Sequence, residues 1–143
     1  MNALAPLAAS ILFVSAAGNP NDEAKRAGGE QALTWLHLVD QGQYTQSWQE
    51  AGTLFRQHVT REQWVGQVKA AREPLGALTR RTQDSASYAE VLPGAPPGSY
   101  VVLVYRSSFA KLSAASEQVT VGREKDGTWR VVGYFVRPAP SPG

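Results

Sequence analysis

The apolar positions of this chain change period about half-way along it. From about Asp22 to Gln41, Ala24, Ala27, Gln31, Ala32, Trp35, Leu36 and Val39 fall near one face at three-and-four spacing, which predicts a helix. Asn21 or Asp22 can cap its start, and Gly42 stops it. Gly28-Gly29 weakens it by about 1 kcal/mol per glycine relative to alanine. The pair points either to a close approach to a strand or to a kink. A second helix is predicted from about Tyr44 to His58, with Trp48, Ala51, Phe55 and Val59 as its buried stripe. Thr60-Arg61-Glu62-Gln63 reads as a capping box. It opens a third helix that runs to about Arg72, with Trp64, Val65, Val68 and Ala71 inward. Pro74 and Gly76 end it.

Beyond Gly76 the period becomes two. Ala77 to Leu92 reads as one long strand, bent or bulged near Asp84-Ser85. Pro93 to Gly98 is a loop. Tyr100 to Phe109 is nearly continuous β-former and is expected to be the central, most buried strand. Lys111 to Ser116 is read as a connection. Glu117 to Glu124 and Thr128 to Arg137 then flank Asp126-Gly127 as a hairpin. Helices followed by a strand meander give an α+β class: three N-terminal helices on a curved four-stranded antiparallel sheet. Such a layer pair leaves a cone-shaped cavity at one end, suited to a ligand.

Composition changes this picture little. The chain has 143 residues, enough for one domain whose core needs no covalent staples. The net charge is +2 and the basic residues are scattered, which argues against nucleic-acid binding. The absence of cysteine removes disulfides, thiolate nucleophiles and Cys-based metal sites. The N-terminus speaks to the compartment. Leu4 to Val14 is an apolar run broken only by Pro6, followed by Ser15-Ala16-Ala17-Gly18, with cleavage expected after Ala16 or Ala17. It is too short for a membrane span and suits a secretory signal, although Met1-Asn2-Ala3 carries no Lys or Arg. The expected organisation is a signal peptide over 1–17, one domain over 18–137 and a disordered tail over 138–143. Export to the periplasm or cell envelope follows, with no membrane span after signal removal.

One set of residues carries a family resemblance. It comprises Trp35-Leu36-x-Leu38-Val39-Asp40-x-Gly42-x-Tyr44-x-x-Ser47-Trp48, Trp64 in the capped helix, Arg72-Glu73-Pro74-Leu75-Gly76, Leu92-Pro93-Gly94 and Tyr100-Val101-Val102-Leu103. It ends with Asp126-Gly127-x-Trp129-Arg130-Val131-x-Gly133-Tyr134. In this order they resemble the bacterial family called domain of unknown function 4019. The resemblance implies an exported or envelope protein with a nuclear transport factor 2-like, or cystatin-like, fold. It implies no activity and no catalytic residues. The Gly28-Gly29 pair departs from the family pattern.

The candidate chemistry is sparse. His37 and His58 could join Asp40 or Glu50 at a metal, but no HxxxH or HxH spacing supports it, and no metal or cofactor is assigned. Asp40 and Tyr44 could serve as acid–base Asp and oxyanion-donating Tyr, as in ketosteroid-isomerase-like enzymes; an Asp just before a helix more often caps it. Trp35, Trp48, Trp64 and Trp129 are expected to pack rather than form a ligand cage, with Trp48 in the core and Trp129 partly exposed. Arg72, Arg80 and Arg81 could clamp an anion at the cavity mouth. Alternation sends Arg80 and Arg81 to opposite faces, and Arg80, which shares a face with Leu78, is expected inward unless a bulge intervenes. An inward arginine must pair with a carboxylate, Glu73 or Glu90, or with an anion. Ser47, Ser107 and Ser108 lack any nucleophile context.

The leading expectation is therefore a non-catalytic module that binds a small ligand or an envelope protein, with Arg80, Asp40 and Tyr44 as ligand-binding residues. The alternative is a small-molecule isomerase or dehydratase using Asp40 and Tyr44. A third class is a purely structural oligomer, such as a homodimer, in which the outer sheet face pairs with itself.

Overall fold

The computed structural model describes residues 19–140. The expected signal peptide lies outside them, as do the last three residues of the expected tail. Helix α1 spans Pro20–Asp40. Asn19 caps it by accepting from the Asn21 amide at 3.0 Å, and Pro20 occupies the first turn, where its missing N–H costs nothing. Gly42, at φ +73°, ends it. The Gln43 amide reaches back to the Leu38 carbonyl and the Gly42 amide to that of Val39, which completes a Schellman cap.

The glycine pair in α1 serves a close approach and not a break. A Cβ on Gly28 would lie 2.8 Å from Cγ2 of Val121 and 3.2 Å from Cβ of Val101. The helix therefore lies directly on the two middle strands at that point. Ala24, Ala32, Leu36 and Val39 complete its buried face.

The predicted second helix is two. Helix α2 spans Tyr44–Gln49 and α3 spans Thr53–His58. Tertiary hydrogen bonds cause the break. The Gly52 amide donates to the Val131 carbonyl at 2.7 Å, and the Thr53 amide donates to Glu124 Oε1 at 2.7 Å. The chain thus leaves helical geometry to hook onto the last strand, and Ala51 is buried in the hook. The expected count of three helices is corrected to four among the described residues. Helix α4, Arg61–Arg72, begins with the predicted capping box, both reciprocal bonds present. A 3₁₀ turn, Glu73–Leu75, and Gly76 at φ +76° lead into the sheet.

Strands β1 (Leu78–Ala89), β2 (Tyr100–Phe109), β3 (Leu112–Arg123) and β4 (Trp129–Pro138) form one antiparallel sheet in sequence order. Strand β2 is interior. Its inward residues Val101, Leu103, Tyr105, Ser107 and Phe109 are all buried. The expected irregularity near Asp84 is a register shift between Gln83 and Ser85. Residues 112–116, read as a connection, belong to β3. Ala115 lies opposite Ser107 with its side chain fully buried, and such small residues pair well here without being β-formers. Strand β4 continues to Pro138 opposite Ala115, and the Ala139 amide donates to the Ala114 carbonyl at 3.0 Å, so the chain stays tied to the sheet past residue 137.

The core lies between α1 and the inner sheet face and extends under α3 and α4. Trp35, Trp64, Phe55 and Tyr134 form its aromatic centre, with Phe55 edge-on to Trp64 at 4.9 Å and Trp35 at 5.4 Å from Tyr134. Trp48 and Trp129 both sit half-buried at its margin, so Trp48 is not the deep anchor its stripe suggested.

Candidate functional site

On the inner side of the sheet, among the described residues, two places combine polar chemistry with shape. The first is a buried charge cluster where α1, α4 and the sheet converge. Asp40 is the last residue of α1 and Arg72 the last of α4. Arg81 points inward from β1, Ser107 from β2, Glu117 from β3 and Tyr134 from β4. Arg81 grips Asp40 with both terminal nitrogens, Nη1 to Oδ2 at 2.8 Å and Nη2 to Oδ1 at 2.9 Å. Its Nε donates to Glu117 Oε1 at 2.9 Å. Arg72 Nη2 donates to Asp40 Oδ1 at 2.7 Å, and its Nη1 stands 3.7 Å from Glu117 Oε2. Ser107 and Tyr134 each donate a hydroxyl hydrogen to Glu117. The Glu117 side chain is fully buried, and those of Arg72, Arg81 and Asp40 are 5%, 9% and 11% exposed.

Two guanidinium charges meet two carboxylate charges, so the cluster is electrically closed. Burial pushes the Asp40 carboxyl up, but hydrogen bonds from Arg81 and Arg72 outweigh it and hold the group below its ordinary range. Burial works against the Arg81 charge too, and its bonds to Asp40 and Glu117 more than restore it. Burial, reinforced by the Glu117 charge, drives the Tyr134 phenol well above its ordinary value. Burial raises Tyr105, opposite Glu117 in the sheet, to about 12. None of these shifts moves a group toward neutrality, which is where a general acid or base works best.

The residues singled out in the sequence fare differently. Asp40 is in the cluster and caps no helix. Tyr44, half-buried at the start of α2, shares a shallow cleft of about 290 Å³ with Asp40, Arg72 and Glu73. Arg80 is exposed on the outer face, opposite Ser108. The expected orientation is inverted because a register shift between Leu78 and Arg80 leaves Thr79 unpaired, and the extra residue turns Arg81 inward. The carboxylates that satisfy it are Asp40 and Glu117, not Glu73 or Glu90. Glu117 stands in the run Ala115-x-Glu117-x-Val119-x-Val121, at the place of an apolar residue. A carboxylate there signals a buried cationic partner.

Ser47 is a hub and not a nucleophile. Its hydroxyl donates to the Tyr44 carbonyl and accepts from Trp64 Nε1 at 2.9 Å, and its carbonyl accepts from Trp35 Nε1 at 2.8 Å. His37 and His58 are exposed on α1 and α3, and among the described residues no three His, Asp or Glu side chains gather around a point that could hold a metal.

The second place is an open recess of about 420 Å³ between α3, α4, the β1–β2 loop and the sheet. Leu54, Phe55, Val59, Trp64, Tyr100 and Tyr134 supply apolar and aromatic walls, Leu92 to Ala95 form a lip, and His58, Gln67 and Thr120 add polar points. Tyr134 belongs to both places: its hydroxyl bonds the charge cluster and its ring faces the aromatic centre.

No helix among the described residues is long and apolar enough to cross a membrane. No match to a curated protein was found. The model of the family described as "Protein of unknown function (DUF4019)" matches residues 31–134, which include every member of the charge cluster, and the chain belongs to that family.

Proposed function

We propose that this is an exported, non-catalytic binding module of the cone-shaped, cystatin-like type. Its recess between helices and sheet takes a small, largely apolar ligand bearing a ring. The observation that carries this reading is the aromatic lining of the recess. A concavity of about 420 Å³ with apolar walls and a few polar points has the size and lining of a small-molecule site. In the charged cluster beside it both carboxylates are held by guanidinium and hydroxyl donors of the cluster itself, and Arg72 Nε is left without a hydrogen-bond partner. The competing isomerase or dehydratase reading needs Asp40 free to take a proton, whereas Arg81 and Arg72 occupy both of its oxygens. Export rests on the short apolar run before Gly18.

Titration with 8-anilinonaphthalene-1-sulfonate, read by its own fluorescence and by Trp64 quenching, tests the recess. The dye should bind saturably at one site, and Leu54→Trp, which fills the recess, should weaken it by about tenfold or more. Unchanged affinity in that variant would place the dye elsewhere and remove the reading. Recovery of the protein from its host with Met1 intact would remove export.

A further inference from the structure

The outer face of the sheet carries a separate feature, independent of the recess reading. Arg106 on β2, Ser116 on β3 and Arg137 on β4 lie directly opposite one another in the register, so they form one row across three strands. Alternation places all three outward, because Tyr105, Ala115 and Glu117 beside them are buried inward. The two arginine backbones are therefore about 10 Å apart, two strand spacings, with a short hydroxyl side chain between them. A cleft of about 660 Å³ opens over this row, walled by Asp84 on one side and by Pro138 to Pro140 on the other.

Both arginines are positioned. Arg137 stacks over the exposed ring of Phe135, 5.6 Å from its centroid. Arg106 is steadied by Asp84 at 3.1 Å through one terminal nitrogen, which leaves its other donors free. Arg106 and Arg137 against Asp84 leave one net positive charge in the cleft. Arg80 and Lys111 are exposed at the same end of the sheet but form no part of the cleft's lining. On the helices, Arg26, Arg61 and Lys69 each face a glutamate on their own helix or just beyond its end.

We propose that this cleft binds a phosphate-type oxyanion carried by a small molecule, held between Arg106 and Arg137 above the Ser116 hydroxyl. Guanidinium forks match the oxygens of phosphate in pairs, and a hydroxyl between them offers a further donor. The concave shape favours a discrete group over a flat anionic surface.

The test uses the full chain labelled with ¹⁵N and titrated with inorganic pyrophosphate and, separately, with inorganic phosphate. The Ser116 amide and Arg137 Nε signals should shift saturably. Arg137→Gln should weaken binding by about tenfold, while Arg80→Gln changes it by less than about twofold. These side chains are exposed, so the substitutions should leave the fold intact. The proposal is overturned by a shift that does not saturate, or by equal weakening from Arg80→Gln, which would mean diffuse attraction. It is equally overturned if phosphatidylglycerol vesicles bind the protein and pyrophosphate does not.

Discussion

Two neighbouring arginines have opposite fates. Arg81 is enclosed by Asp40 and Glu117, and Arg80 is solvated on the far side of the same strand. Removing one partner of a buried ion pair leaves the other charge uncompensated, at a cost of about 3–5 kcal/mol. Arg81→Ala should therefore lower stability by about that much, and Arg80→Ala by no more than about 0.5 kcal/mol. Urea denaturation of both variants checks the ranking, and equal losses would show that the register of β1 is wrong. The sequence states that one of the two must be buried. It cannot state which, because one unpaired residue at Thr79 exchanges the faces, and nothing in the composition of Leu78-Thr79-Arg80 announces a bulge. Glu117 was legible in principle, as a carboxylate standing in an apolar alternation.

Among the elements, those held by local chemistry were readable and those shaped by distant partners were not. Helix α4 starts at its capping box and β2 has the predicted limits, because caps and β-branched runs act within a few residues. The break between α2 and α3 depends on the Val131 carbonyl and the Glu124 carboxylate, both more than seventy positions away in the chain. The first residues of β3 are Leu-Ser-Ala-Ala-Ser, which pair because β2 lies alongside and not because they favour strands. Glycine gives a test at this scale. Gly28→Ala would force a methyl group against Val121 and Val101, and overpacking of this kind costs about 1–3 kcal/mol, more than the helix-propensity gain of about 1 kcal/mol offsets. Gly66→Ala in α4 meets nothing within 4 Å and should stabilise by about 1 kcal/mol. Thermal melts should move in opposite directions, and a stabilised Gly28→Ala would contradict the contact between α1 and the sheet.

For the whole molecule, the charge cluster acts as a knot. It joins the C-terminal ends of α1 and α4 to all four strands through six side chains. Its stabilising effect depends on pH in a defined direction. The Asp40 carboxyl is lower in the folded chain than the ordinary 3.8, so unfolding takes up a proton in acid. The contribution is complete above the unfolded value and fades as pH falls through the lower, folded one. At the alkaline end, Tyr105 and Tyr134 are raised above the ordinary 10.0, so unfolding releases protons as pH climbs past that value and stability falls again. Chemical denaturation across pH should show an acid loss below about pH 4 that is smaller in Asp40→Asn, which is already weakened at neutral pH. An Asp40→Asn profile parallel to that of the unaltered chain would assign the acid loss to other groups.

Asp40 is a locked anion inside a closed ion cluster and not a proton-transfer group, with the aromatic recess lying beside that cluster. The most direct measurement is the titration of the Asp40 side-chain carboxyl by ¹³C nuclear magnetic resonance in the folded chain. The midpoint should lie below 3.8, and the resonance should be flat from about pH 6 through neutral pH. A midpoint between about 5 and 8 would contradict the locked anion, because a carboxyl that exchanges its proton near neutrality is free to act as an acid or base.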